Sequence, residues 1–256
     1  MANPASALGE AIGKSVECEI QEIIQQVVAP FGLYVDVGGS RKGKREGSKL
    51  LLVNETGNTY QIDTVVEDKA GNPLILVESK YLRYTKHNRD KGSWTCVAHY
   101  KLRTTYPSVK KSLAVLMGNW SKPSKALMNS FGVEILEIPF KELVEVLKKY
   151  SIVFDWDEKD SRTPKKSWNK YCKLPILTKK FIAQECLVKH KAKLEEMILE
   201  AVKTDPERPK NVDRIEVLIK TTHNEFYVKH FDSIKDSLKY MLGLVSDPND
   251  LKDLLK

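Results

Sequence analysis

Two apolar runs joined by a glycine turn constrain this chain more than any other feature. Tyr60-Gln61-Ile62-Asp63-Thr64-Val65-Val66 leads through a turn around Gly71 into Leu74-Ile75-Leu76-Val77-Glu78-Ser79-Lys80. Runs rich in Val, Ile and Leu between Gly, Asn, Asp and Pro clusters form strands, so the pattern predicts a β-hairpin over residues 60–67 and 74–81. A further strand is expected at 49–53, before a turn around Gly57, which makes the expected arrangement an antiparallel meander. Side chains alternate between the two faces of a strand. With the hairpin centred between Ala70 and Gly71, Asp63 stands directly across from Glu78, Cβ atoms roughly 4.5–5.5 Å apart, and Gln61 faces Lys80. Ile62, Thr64, Val66, Ile75 and Val77 then share the other face, which suits a core.

Carboxylates at that separation repel and weaken a bare hairpin. A divalent cation removes the conflict, and hard oxygen ligands suit Mg2+, which is commonly held by one or two carboxylates and a phosphate. Lys80 shares the face of Glu78 and can orient or stabilise a water beside the metal. Such a set can hydrolyse a phosphodiester. The acid-x-Lys tripeptide recurs at Glu67–Lys69, Asp157–Lys159 and Asp250–Lys252, but only the copy at Glu78 ends an apolar strand with an acid on the strand before it.

The surrounding order of elements is α/β. Leu8, Ile12, Val16, Ile20, Ile23 and Val27 recur at three- and four-residue steps and predict a helix over 8–29, ended by Pro30 and Gly32. A β-prone run at 33–37 precedes a basic glycine-rich loop at 38–45. After the hairpin come a helix over 93–105 with Ser93 as N-cap, a strand at 112–117, a helix at 122–130, a strand at 133–138 and a helix to Tyr150. The polar stretch 155–167 reads as a linker. It divides a mixed-sheet domain, 1–155, from a mainly helical accessory domain, 156–256. In the second, a long helix over 178–202, a hairpin (214–220 with 225–231) and a last helix capped by Asp232 are expected.

Composition narrows the partners. The chain has 42 Lys and Arg against 34 Asp and Glu, a net charge of +8, which favours a polyanion. Between Ser161 and Gln184 stand seven Lys or Arg and no acid, interleaved with Trp168, Tyr171 and Phe181. Lys165, Lys166, Lys170 and Lys173 are the candidate phosphate contacts there, with Lys101 and Arg103 on the helix after the hairpin. His87 and His99 flank the hairpin as weaker candidates. Cys18, Cys96, Cys172 and Cys186 form no CxxC pair, which excludes a zinc ribbon or redox dithiol. With no signal segment or membrane-length apolar run in the sequence, a reducing, cytoplasmic setting is expected.

Asp63 followed by Glu78-Ser79-Lys80 after a turn resembles the PD-(D/E)xK nuclease superfamily of restriction endonucleases and their relatives. Gly13-Lys14-Ser15-Val16-Glu17-Cys18-Glu19-Ile20 is similar to the Gly-x-x-x-Glu-x-Glu helix of archaeal Holliday junction resolvases. The likeness covers roughly residues 8–140 and departs at Ile62, where the name-giving motif has Pro. It implies a restriction-endonuclease-like mixed sheet and a metal site of Asp63, Glu78, Glu17 and the Ser79 carbonyl, with Lys80 assisting the nucleophilic water. It implies Mg2+, replaceable by Mn2+, and DNA as substrate. The expected activity is that of a type II restriction endonuclease, a homodimer on a palindromic target with a cognate DNA methyltransferase in the same system. The alternatives are a structure-selective nuclease, such as a junction resolvase or repair endonuclease, and a non-catalytic nucleic-acid-binding protein on a nuclease fold.

Overall fold

The computed structural model describes residues 3–37, 52–53, 57–85, 88–203 and 211–246. The basic loop at 38–45, His87 and most of the strand expected at 49–53 lie outside the described residues. The chain divides into two units, Met1–Thr204 and Asp205–Lys256.

The first unit is a mixed five-stranded sheet with helices on both faces. Helix α1 (Pro4–Val28) opens with Asn3, whose side chain accepts the Ala5 N–H at 2.9 Å, and with Pro4 in its first turn. It buries Leu8, Ile12, Val16, Ile20, Ile24 and Val28 as one stripe. A 3-10 turn and Gly32, in the left-handed conformation, end it. Strands β1 (Tyr34–Val37), β4 (Thr64–Glu67), β5 (Pro73–Leu82), β6 (Lys111–Gly118) and β7 (Val133–Pro139) lie side by side in that order. The first two pairings are antiparallel, and β5–β6 and β6–β7 are parallel.

The expected meander is corrected. Strands β2 (Leu52–Val53) and β3 (Thr59–Tyr60) form a separate ribbon, and the neighbour of β4 is β1. The hairpin register is the one read from the turn: Thr64 pairs Val77, Val65 pairs Leu76 and Val66 pairs Ile75, which sets Asp63 across from Glu78. A bulge at Val66/Glu67 absorbs the turn, where Asp68 Oδ1 accepts the Ala70 and Asn72 N–H groups at 2.8 and 2.9 Å.

Parallel pairing of β5 with β6 requires a crossover, and helix α2 (Asn88–Thr105) supplies it. Both faces of the sheet are therefore covered. Val66, Ile75, Val77, Leu113, Val115 and Met117 pack in the core that includes α1. Val65 and Leu76 pack on the α2 side with Ala98 and Leu102. Ile62, expected with the first group, belongs to the second, because β4 begins only at Thr64 and the alternation does not hold before it. Helix α2 starts five residues before the expected cap. Asn88 anchors its start through bonds to Thr85 O (2.8 Å), Asn119 O (3.3 Å) and Ser121 N (3.3 Å), and Ser93 is an ordinary helical residue. Helices α3 (Lys122–Ser130) and α4 (Phe140–Lys149) follow the expected order.

The boundary expected at 155/156 falls at Thr204/Asp205 instead. The stretch read as a linker turns into helix α5 (Arg162–Cys172), started by Asp160, whose Oδ1 accepts the Arg162 and Thr163 N–H groups at 2.8 and 3.0 Å. The long helix expected at 178–202 is two, α6 (Ile176–Leu187) and α7 (Lys191–Val202). Tyr171, Ile182, Cys186, Leu194 and Ile198 bury their apolar faces in the same core as α1, so these helices belong to the first unit.

The second unit pairs β8 (Ile215–Lys220) with β9 (Phe226–Phe231) and closes with α8 (Ile234–Ser246). Phe231 packs on Tyr240 at 5.2 Å. The cap of α8 is Ser233 rather than the expected Asp232: Ser233 Oγ accepts the Asp236 N–H at 3.1 Å and donates to Asp236 Oδ2 at 2.6 Å.

Candidate active site

Asp63 stands one residue before β4, and Glu78 and Lys80 lie along β5 on the face that α2 covers. Asp63 Oδ2 accepts two bonds, from the Ser79 N–H at 2.9 Å and from Lys80 Nζ at 3.0 Å. Lys80 Nζ also contacts Glu78 Oε2. One ammonium thus bridges two carboxylates on neighbouring strands. The bare repulsion expected from the sequence is corrected by this bridge, which balances one of the two acidic charges.

The two acids differ in environment. The Glu78 side chain is 2% exposed and that of Asp63 25%. Burial pushes the Glu78 carboxyl well above the usual carboxylate range, helped by its hydrogen bond to Asp63 and the Asp63 charge, and Lys80 only partly offsets this. Burial also acts to raise Asp63, but the bond from Glu78, the Lys80 charge and the Ser79 N–H outweigh it and hold Asp63 below its ordinary value. The two carboxyl groups that share this site are thus driven apart in proton affinity, Glu78 up and Asp63 down. Burial would lower Lys80, yet Glu78 and Asp63 together hold its ammonium above the ordinary value.

Glu17 stands one bond away. Its Oε1 accepts from Lys14 Nζ at 2.6 Å and from Gln21 Nε2 at 3.2 Å. Gln21 Nε2 in turn lies 3.3 Å from the Asp63 carbonyl oxygen and 3.2 Å from Thr64 Oγ1. Gln21, one helical turn after Glu17, is absent from the residues that the sequence pattern singles out, although its i,i+4 spacing could have flagged it. The helix comes this close because Gly9 and Gly13 face Tyr81 of β5: a Cβ at Gly9 would meet the Tyr81 ring at 2.6 Å, and one at Gly13 would meet Tyr81 Cβ at 3.3 Å. Among the described residues, no group of three or more His, Cys, Asp and Glu is spaced to hold a metal ion. The oxygen donors that are brought together are the two carboxylates of Asp63 and Glu78, a set that fits a hard divalent cation completing its shell with water and phosphate. Ser79 contributes its N–H to Asp63, and its Oγ is buried without a partner.

His99, on α2, is fully buried and neither ring nitrogen has a hydrogen-bond partner. Burial first, then the Lys80 and Arg103 charges, press its pKa down to about 3 against the pull of Asp63. It is neutral at all ordinary pH. Arg103 is engaged elsewhere, donating to the Phe131 and Gly132 carbonyls at 3.2 and 3.1 Å, so it closes the turn between α3 and β7. Lys101 is half-buried on the same helix. Lys165, Lys166, Lys170 and Lys173 are exposed along α5 and its end, while Trp168 and Tyr171 stack at 6.4 Å and pack against the α1 core. Tyr171 Oη meets Ser15 Oγ at 2.9 Å, which ties the basic helix to the helix that carries Glu17. Among the described residues, no helix is long and apolar enough to cross a membrane. Comparison of the chain with family models, curated proteins and solved structures returns no match, and the fold is a mixed α/β sheet flanked by helices.

Proposed function

We propose that this chain is a metal-dependent endonuclease that hydrolyses phosphodiester bonds in DNA, of the PD-(D/E)xK kind. The observation that carries the reading is one lysine bridging two carboxylates of unequal proton affinity across a hairpin. Asp63 and Glu78 would hold Mg2+ or Mn2+, with the Ser79 carbonyl as a further ligand by resemblance and Glu17 acting from farther out. When bound, the metal supplies Lewis-acid polarisation and charge neutralisation at the phosphate. A metal would bind the ionised form of Glu78, whose proton affinity burial raises, so binding is favoured as pH rises. Lys80, freed from balancing the carboxylates, keeps its charge and can orient the attacking water and steady charge on the phosphate. The exposed lysines of α5 add affinity without sequence preference.

Within that class we favour a type II restriction endonuclease acting as a homodimer beside a cognate DNA methyltransferase in a cytoplasmic setting. A structure-selective nuclease is the second reading. The observation favouring it is the Gly13–Glu17 helix lying on β5 with Gln21 joined to Asp63. The test is cleavage of plasmid DNA by the purified protein with Mg2+, Mn2+ or EDTA. Metal-dependent cutting that Asp63→Ala abolishes supports the reading. Tight DNA binding with no cutting under any metal would leave a non-catalytic binding protein.

A further inference from the structure

A cavity of about 800 Å3 opens at the end of β5. Its lining includes Tyr81, the residue after Lys80, together with Tyr84, Lys91, Trp156 and Lys159. In open α/β sheets the crevice beyond the carboxyl ends of parallel strands is where ligands bind, and β5, β6 and β7 are parallel. The volume is that of a pocket for a single small ligand, and no duplex fits within it. Resting on the nuclease reading in its structure-selective form, we infer that this cavity receives one unpaired nucleotide of the substrate strand, adjacent to the phosphate held at Asp63, Glu78 and Lys80.

The wall is preformed. Arg83 donates to the Phe154 carbonyl and, at 3.0 Å, to the Trp156 carbonyl, and its guanidinium lies 3.8 Å from the centre of the Trp156 ring. Trp156 and Tyr84 therefore offer aromatic surface to the cavity on a fixed frame. Stacking on such surface is the sequence-tolerant way to hold an unpaired base.

The lining carries Arg83, Lys91 and Lys159 against Glu10, Glu158 and Asp160. Lys91 of α2 lines the cavity as an exposed residue, and partial desolvation and then the Lys80 charge lower its pKa, with Glu10 opposing. Its one hydrogen bond among the described residues is a long one, 3.5 Å to the Tyr81 carbonyl, so the ammonium has donors to spare. Of the acids in the lining, Asp160 is already committed to the first N–H groups of α5.

The experiment uses the full chain and labelled oligonucleotides of one sequence: a blunt duplex, and the same duplex carrying a short 5′ or 3′ unpaired flap. Binding is measured in EDTA by anisotropy, and cleavage in Mg2+. The expected result is at least tenfold tighter binding of one flapped form, with cutting at the junction. Lys91→Gln and Tyr84→Ala should each bring the flapped-to-blunt affinity ratio close to one, and Lys91→Arg should keep it. Lys91→Gln guards against misfolding of Tyr84→Ala, because it leaves the Arg83 frame intact. Equal affinity of the wild type for blunt and flapped DNA overturns the cavity assignment, even where metal-dependent cutting of the blunt duplex upholds the nuclease reading. A preference that survives Lys91→Gln overturns it as well. A flap preference lost in the variants, with no cleavage under any metal, supports the cavity and rejects the nuclease.

Discussion

Among the described residues, two clusters bring one lysine to two carboxylates, and they are built oppositely. At Lys111 the cation is the buried partner, 8% exposed, with Nζ 3.0 Å from both Glu134 and Glu200, which are 49% and 57% exposed. The acids keep most of their hydration, and Lys111 holds Glu200 below its ordinary pKa. At Lys80 an acid is the buried partner, Glu78, and its pKa moves up. The first arrangement satisfies a buried ammonium. The second retains a carboxyl group that would rather be neutral, which stability alone does not favour. A site that keeps such a group is a candidate for chemistry.

Equivalent substitutions should separate the two clusters most sharply. Lys80→Ala is expected to lower Mg2+-dependent cleavage by at least about a hundredfold, the scale for loss of one group that stabilises developing charge. Lys111→Ala should leave the cleavage rate of the folded protein near wild type. Equal loss in both, measured on plasmid DNA with folding checked by circular dichroism, would remove the distinction.

His99 sharpens the contrast through pH. An ordinary histidine titrates near 6.5 and this one near 3, so the unfolded chain takes up a proton that the folded chain refuses. The stability that follows is present above pH 6.5 and is lost as pH falls toward 3. His99→Leu removes that dependence. Relative to wild type it should gain about 2 kcal/mol at pH 5 beyond any difference at pH 7. Parallel denaturant curves at the two pH values check it; an unchanged difference would mean that His99 is protonated in the fold.

Glu78→Gln tests the buried acid itself, without metal. A raised folded-state pKa stabilises below the unfolded value, and this is lost as pH rises through the folded value. The Gln variant should therefore gain on wild type above pH 4.5, by up to about 1.4 kcal/mol for each pH unit up to the folded-state value. Equal stability at pH 7 would show Glu78 ionised at no cost. Asp63 runs the other way: its depressed pKa stabilises above 3.8 and is lost as pH falls through the folded value. The smallest effect is expected on α5. Changing Lys165, Lys166 and Lys170 to Gln should flatten the salt dependence of DNA affinity by up to roughly 0.9 log unit for each phosphate left without its lysine. An unchanged slope would assign these lysines to solvent.

The hairpin was legible because its signals are local. The turn around Gly71 and the alternation on either side specify the register, and the register puts Asp63 opposite Glu78. The order from β6 to α4 was legible for the same reason, each element being bounded by its own turn or proline. The break between α6 and α7 was not, since neither Gly nor Pro marks residues 188–190; there His190 Nε2 meets Glu142 Oε2 of α4 at 2.9 Å. The start of α2 at Asn88 depends likewise on partners about thirty residues away, Asn119 and Ser121.

By itself, then, the sequence determined which residues share a strand, a turn and a face, because φ/ψ preference and side-chain alternation act over a few residues. Only the tertiary structure decided that β1 rather than Leu52–Val53 borders β4, that α5–α7 join the α1 core, and that Glu78 lies beneath α2. Those outcomes follow from burying apolar faces contributed by distant segments. The proton affinity of a carboxyl group is set by the water that such burial removes, and no local pattern carries that quantity.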